Sequence, residues 1–394
     1  MSTNTICLGG VSLTIGRHAA GEIPKELEKA GCRHPLLVTD GSILKLGLCR
    51  ELLDALEKAG IPWDIFSEVP SDPPSSVVAK GTEFCRSRGC DSVIGLGGGS
   101  VLDCAKAIKM MSTHPGSILD YVKGGPRFQN PGLPLFSVPT TSGTGSEVTQ
   151  YAVITDEEKQ VKTTIGDTRL VSHAVFLDPT LTQGLPPRIT AATALDALAH
   201  AIEAYTSNRV LNAGGSSAFS DTLDLEAIRR ICRSLPTAVA QGSDLSARLD
   251  VMIGATMAGL VSQAGSGSAH GIGAGFGAMY HVPHGEAVGI LLPYVMAYNL
   301  SACPERFRDI AQAMGADVSG LSPEAAGLSA VTRLQSLLKE VRFARLRDYV
   351  KTEAELPALA EKGLNDHCNS LNAIPLTSLD QCREILDHAW QETL

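Results

Sequence analysis

The stretch IGLGGGSVLDCAK, residues 94–106, decides how the first half of the chain is read. Glycines stand at 95, 97, 98 and 99, after an apolar run and ahead of a segment with helical spacing. Glycine lets a backbone turn sharply and approach a ligand closely. A helix starting there would offer free N–H groups and the positive end of its dipole to a diphosphate. The pattern departs from GxGxxG, because Ser100 stands in place of the last glycine, and no GK[ST] follows to make a P-loop. Such a unit serves either as a nucleotide cradle or as a tight structural turn.

Outward from this stretch, strands and helices alternate. HPLLVTD (34–40), WDIFSEV (63–69), DSVIGLGG (91–98) and LPLFSVPT (133–140) read as buried strands. LGLCRELLDALEKAG (46–60) predicts an amphipathic helix ending at Gly60, SDPPSS (71–76) leads into a helix reaching Gly89, and VLDCAKAIKMM (101–111) predicts a third. Apolar strands separated by helices predict a parallel sheet. Asp40, at the end of the first of these strands, could accept hydrogen bonds from an adenosine ribose and repel a 2′-phosphate, or simply cap a turn. PTTSGTGSE (139–147) could wrap diphosphate and ribose with N–H and O–H donors, or form a surface loop.

Beyond QGLPPRIT (183–190) the pattern turns helical, in AATALDALAHAIEAY (191–205), SDTLDLEAIRRICRSLPTAVA (220–240), SARLDVMIGATMAGLVSQA (246–264) and LDQCREILDHAWQETL (379–394). Pro186 and Pro187 can close one regime and open a helix. The expected organisation is an α/β dinucleotide-binding domain with a parallel sheet over residues 1–185 and an all-helical, metal-binding domain over 186–394.

Within DALAHAIEAY (196–205), Asp196 and His200 are four residues apart and share a helix face surrounded by Ala, Leu and Ile. A buried carboxylate without a partner is costly. A metal ion would satisfy both groups, and so would a buried Asp–His hydrogen bond. HGIGAGFGAMYHVPHG (270–285) adds His270, His281 and His284, with Val282-Pro283 breaking the helix between the last two. Asp196, His200, His270 and His284 would make one carboxylate and three imidazoles. That set suits Fe(II) or Zn(II) and lacks the thiolates of a closed structural zinc site.

Composition sets the outer limits. The 394 residues carry a net charge of −9 and no Lys/Arg run, which works against a nucleic-acid partner. No apolar run approaches the roughly 18 residues of a membrane span. MSTNTICLGG lacks the basic and apolar regions of a signal peptide. The ten cysteines form no CxxC pair, so we expect reduced thiols in a cytoplasmic protein.

Four motifs in order now resemble one family, the metal-dependent group III, or iron-containing, alcohol dehydrogenases. They are GGGSVLDCAK, PTTSGTGSEVT, DALAHAIEAY and HGIGAGFGAMYHVPHGEAVGILLPYVMAYN (270–299). The resemblance runs from Asp40 to LNAIPLT (371–377). It implies the dehydroquinate synthase-like architecture, with the active site in a cleft between the two domains. It places metal ligation on Asp196, His200, His270 and His284. It places cofactor contacts on Asp40, Gly97, Gly98, Gly99, Ser100, Asp103, Thr140, Thr141, Thr144, Tyr151, Lys162 and Leu181. Lys162 matches a lysine on the nicotinamide side and Leu181 an adenine-side contact. Asp40 resembles the family's marker for NAD(H) over NADP(H). Where many members carry a further histidine, often assigned to proton relay, this chain has Ala274; His281 is a candidate substitute.

The resemblance implies hydride transfer between nicotinamide and an alcohol or aldehyde, assisted by a divalent metal as Lewis acid. VSQAGSGSA (261–269), with Ser266 and Ser268, resembles the segment lining the substrate pocket, and its small hydroxylated residues suggest a short, polar substrate. The alternatives are a hydroxyacid–oxoacid transhydrogenase or glycerol dehydrogenase-like enzyme on the same fold, a phosphorylated-substrate relative, and a non-catalytic metal- and nucleotide-binding sensor. Family members are commonly dimers or larger, and ICLGGVSLTIG (6–16) could be an edge strand or hairpin that pairs across subunits of a homo-oligomer.

Overall fold

The computed structural model describes residues 3–8, 10–213, 217–262 and 265–393. The chain divides into two compact units, 1–141 with 146–183, and 142–145 with 184–394.

The first unit is built on a seven-stranded sheet in the order β1-β2-β9-β6-β5-β3-β4. Its strands are β1 (Asn4–Leu8), β2 (Val11–Ile15), β3 (Pro35–Val38), β4 (Asp64–Phe66), β5 (Ser92–Gly97), β6 (Leu135–Pro139) and β9 (Ala174–Leu177). All neighbours pair in parallel except the β1–β2 hairpin. Both faces are covered, as the unbroken apolar runs require. Leu36 and Val38 pack toward α4 (Ser75–Arg88) and α5 (Gly99–Met111). Leu37, Ile94 and Leu96 pack on the opposite side, with α1 (Ile23–Ala30) and α3 (Arg50–Lys58). Leu37 is wholly buried, and truncating such a residue to alanine costs about 2–5 kcal/mol.

Two features depart from the sequence expectation. The helix expected over 46–60 starts only at Arg50, because Gly47 takes a left-handed conformation (φ 71°) and separates it from the short α2 (Gly41–Lys45). The polar segment 151–166 forms an antiparallel hairpin, β7 (Tyr151–Asp156) with β8 (Val161–Gly166), outside the main sheet. The N-terminal segment, whose Gly9 lies outside the described residues, is an edge hairpin as the sequence allowed: β2 joins β9, and β1 takes the sheet edge.

The second unit is helical, and among the described residues no strand follows Leu177. Its helices are α6 (Pro187–Thr206), α7 (Asn208–Leu211), α8 (Ala218–Ala240), α9 (Leu245–Val261), α10 (Ser268–Tyr280), α11 (His284–Asn299), α12 (Pro304–Ala313), α13 (Pro323–Glu340), α14 (Leu346–Tyr349), α15 (Leu356–Leu364) and α16 (Leu379–Gln391). Pro187 opens α6 at its first position, where a missing N–H costs nothing. From Ala194 to Ala199 every side chain of α6 is buried, so this helix is central to the unit's core. No described helix is long and apolar enough to cross a membrane.

Candidate active site

In the first unit, the C-terminal ends of β3, β5 and β6 carry the residues expected to hold a cofactor. From β3 the chain moves to β4 on one side and then to β5 on the other. The crevice between β3 and β5 is therefore a switch point, where open parallel sheets bind ligands. Thr39 Oγ1 donates to Leu96 O (2.8 Å) and Thr140 N to Gly97 O (3.0 Å), tying the three strand ends together. Gly97 ends β5, Gly98 caps α5, and Gly99 and Ser100 open it. A Cβ on Gly97 would meet Val101 at 2.5 Å, and one on Gly98 would lie 3.4 Å from Thr141. These glycines leave the 13-residue α5 with an uncovered N-terminus, the arrangement that suits a diphosphate.

The other expected cofactor residues have local partners. Asp40 caps α2, accepting from Ser42 N (2.7 Å) and Ile43 N (3.0 Å) through one oxygen. Ser100 Oγ accepts from Asp72 N at 3.3 Å. Asp103 accepts from Ser146 Oγ (2.5 Å) and Val153 N (3.0 Å), and burial raises its carboxyl pKa. It thus fixes α5 to β7. Tyr151 O accepts from Lys106 Nζ at 2.7 Å. Lys162, half-exposed on β8, pairs with Asp72 at 2.7 Å. Leu181 is buried in the core beside Phe176. Thr144 belongs to the 142–145 stretch grouped with the second unit.

In the second unit, α6, α10 and α11 bring donor atoms of three expected metal ligands together, with the fourth, His200, stacked beside them. His270 Nε2 and His284 Nε2 lie 3.5 and 3.6 Å from Asp196 Oδ1. One donor atom from each of these three residues lies within 4.8 Å of the others. The His200 ring stacks on that of His270, with centroids 4.4 Å apart. The close approach of α11 to α6 depends on Gly285, where a Cβ would meet Ala192 O at 2.3 Å and Asp196 Cβ at 3.0 Å.

The electrostatics are those of a site waiting for a cation. Asp196 Oδ1, His200 Nδ1 and His270 Nε2 are buried without a hydrogen-bond partner. Each such atom is costly, and a divalent ion held between Asp196 Oδ1 and His270 Nε2 would satisfy those two. Burial opposes charge on Asp196, but His200, His284 and His270 outweigh it and hold the carboxyl below the usual carboxylate range. Burial pushes His200 down to about 4, leaving a neutral ring with a lone pair. On His270 burial is outweighed by Glu203 and Asp196, which lift it to about 10.

Glu203 is the residue that sequence reading missed. It is 3% exposed and accepts from His270 Nδ1 (2.5 Å) and Ala269 N (2.7 Å). A carboxylate at Nδ1 sets the tautomer that turns a Nε2 lone pair to the metal. Its signal was visible: Glu203 lies seven residues after Asp196 and three after His200, on the same helix face. Asn372, in the segment LNAIPLT, accepts from Ser268 N (3.2 Å) and from Asn299 Nδ2 (2.8 Å), holding the start of α10.

The remaining candidates separate. His281 is the exposed left-handed end of α10 (φ 54°) and does not join the cluster of Asp196, His270 and His284. Ser268 is fully buried at the first turn of α10, its hydroxyl unpartnered. Ser266 approaches the Cys368 thiol, while residues 263–264 of the expected substrate segment lie outside the described residues.

Comparison with known proteins decides between the architectures that could carry such a site. Residues 11–179 match the family described as iron-containing alcohol dehydrogenase, and residues 190–390 match its C-terminal part. The chain belongs to the iron-containing alcohol dehydrogenase family. As a member it is a metal-dependent alcohol dehydrogenase or aldehyde reductase, of a family that uses a divalent metal and a nicotinamide dinucleotide. It is 36% identical over 385 residues to long-chain-alcohol dehydrogenase 1 of Geobacillus thermodenitrificans, covering 96% of this chain and 95% of that one. It is 36% identical over 378 residues to lactaldehyde reductase of Escherichia coli K12, covering 95% and 97%. Among solved structures, a 1,3-propanediol oxidoreductase superposes with a TM-score of 0.91 at 34% identity, covering 99% of this chain and all of the other.

Proposed function

We propose that this chain is an NAD(H)-linked reductase of short, polar aldehydes, and dehydrogenase of the matching alcohols, holding Fe(II) or Zn(II) through Asp196, His200, His270 and His284. The observation that carries the reading is the convergence of Asp196, His270 and His284, with Asp196 Oδ1 and His270 Nε2 buried and unpartnered. The ion, when bound, supplies Lewis-acid polarisation of the carbonyl or alcohol oxygen. The chain's own residues do the rest. Asp196 brings the one negative charge of the donor set, and the neutral His200 brings a lone pair. Glu203 holds the His270 ring in place. In this reading residues 1–185 bind the dinucleotide, with Gly97, Gly98, Gly99 and Ser100 cradling the diphosphate at the start of α5, and 186–394 bind the metal.

Asp103 acts by anchoring α5 to β7, and Thr140 and Thr141 flank the diphosphate. Thr144, Tyr151, Lys162 and Leu181 complete the cofactor contacts. Asp40 favours NAD(H), because a carboxylate there repels a 2′-phosphate. Asn caps a helix as well as Asp does, so Asp40→Asn should leave thermal stability unchanged while raising kcat/KM for NADPH relative to NADH. An unchanged cofactor ratio would remove Asp40 from this role.

Relatives at equal identity are named for a long-chain alcohol and for lactaldehyde, so substrate size rests on this chain's own residues. Ser266, half-buried just before α10, supports a small polar substrate, while Ser268 is enclosed in the protein. Activity with NADH across C2–C6 aldehydes, with and without a hydroxyl group, tests this; a steep rise with alkyl length would overturn it. With Ala274 in place of a histidine, proton transfer falls to water or a cofactor hydroxyl, and His281→Ala should leave the pH–rate profile intact. We place the protein in the cytoplasm as a homodimer or larger assembly.

A further inference from the structure

At the opposite ends of the strands from the glycine loop, a second cluster of metal-binding side chains lies in the first unit. His34 immediately precedes β3, Asp64 begins β4, and Cys90 stands two residues before β5. One donor atom from each lies within 4.8 Å of the others. His34 Nε2 and Asp64 Oδ2 are 3.0 Å apart. A second thiol, outside that group but beside Cys90, comes from Cys85 on α4. Gly89 ends this helix in a left-handed conformation, and Cys90 N donates to Cys85 O at 3.1 Å, a closure that folds residue 90 back over residue 85. The two thiols meet there, hydrogen-bonded to each other.

The cluster is held from outside. Asp91 accepts from the backbone N–H groups of Arg33 (2.6 Å) and His34 (3.0 Å), and from Ser92 Oγ (3.0 Å), so the start of β3 is pinned to the start of β5. The Arg88 guanidinium lies 3.6 Å from the other oxygen of Asp64.

We propose that Cys85, Cys90, His34 and Asp64 form a second, structural metal site for a thiophilic divalent ion, Zn(II) above others. Two thiolates, one imidazole and one carboxylate make a closed four-donor set of the kind zinc takes in tetrahedral sites. Charge balance is complete. The two thiolates and Asp64 contribute three negative charges, which a divalent ion and Arg88 cancel. Binding would release the two thiol protons to solvent and replace the His34–Asp64 hydrogen bond with two metal contacts. The ion would join β3, β4 and the end of α4 at the sheet edge away from the nucleotide loop. The proposal is independent of the catalytic reading, because no residue is shared.

Cobalt(II) distinguishes the two sites. The site of Asp196, His200, His270 and His284 contains no sulfur, so a near-ultraviolet thiolate-to-cobalt charge-transfer band reports only on a thiolate site. Fully reduced, metal-stripped protein titrated with cobalt(II) should show this band, saturating within two equivalents per chain, one for each site. His270→Ala should keep the band. Cys90→Ser should abolish it, Cys85→Ala should abolish or strongly weaken it, and His34→Gln should weaken cobalt binding at least tenfold. Circular dichroism on each variant separates loss of the site from loss of fold, and His34→Gln, at a half-buried position, is the variant least exposed to that confusion. Absence of the band in wild type would overturn the proposal. So would a band that survives Cys85→Ala/Cys90→Ser, or a Cys85–Cys90 disulfide that persists under reductant.

Discussion

At the scale of single residues, buried ionisable groups divide into those with a purpose and those without one. Glu203 has one. Glu203→Gln keeps an acceptor for Ala269 N–H but removes the anion facing His270 Nδ1. Metal affinity should fall about 10- to 100-fold, the usual cost of losing such a partner, measured by chelator competition on folded protein. Asp224 is the contrary case. Both its oxygens are buried without partners on α8. Burial raises its carboxyl to about 9, with Asp221 adding to the rise and Arg306 opposing it. The folded chain therefore keeps a proton that the unfolded chain releases near pH ~4. This stabilisation is complete below that pH and is lost as pH rises toward about 9, by about 1.4 kcal/mol per pH unit at most. Asp224→Asn should remove this slope. Chemical denaturation between pH 5 and 9 should show the variant gaining on wild type as pH rises.

At the scale of elements, α6 was the most legible part of the chain. Asp196 and His200 share a face by helix pitch alone, and the alanine-rich surroundings announce burial. The same arithmetic would have found Glu203, but a glutamate on a helix reads as solvated surface until its partner is known. His270 is on a different helix, so the pairing exists only in three dimensions. The β7–β8 hairpin was illegible for a related reason. Its segment YAVITDEEKQVKTTIG alternates inside to outside only over β7, and β8 is largely exposed. The helix expected over 46–60 failed at a single residue, Gly47, whose left-handed turn overrode an otherwise regular apolar pattern. Glycine also governs how α11 meets α6. Gly285→Ala would press a methyl group into Ala192 O, an overpacking that costs about 1–3 kcal/mol, and it would move His284 away from Asp196. Melting temperature and metal affinity should fall together. Gly184→Ala, where a Cβ meets nothing within 4 Å, is the control.

At the scale of the whole molecule, the two units have separate apolar cores, one around the sheet and one around α6. A ligand stabilises only the folded unit that binds it, by about 2.7 kcal/mol at a hundredfold excess over Kd. Calorimetry should therefore show the metal raising the transition of the helical unit and NADH raising that of the sheet unit. Chelation should abolish aldehyde reduction and lower only the first. Both ligands acting on one undivided transition would show that the cores unfold as one.

The boundary between the units does not coincide with any one position in the gene. Residues 142–145 are encoded inside the sheet unit yet group with the helical one, where a Cβ on Gly143 would strike Thr193 O at 2.7 Å and one on Gly145 would strike the Gly259 backbone at 2.5 Å. A crossover between two related genes near codon 184 would thus exchange the helical half but leave behind four residues fitted to the old one. Recombinants should tolerate such a crossover only when both parents carry small residues at 143 and 145. The metal-bearing half has in effect two coding addresses, and its inheritance as a module requires both.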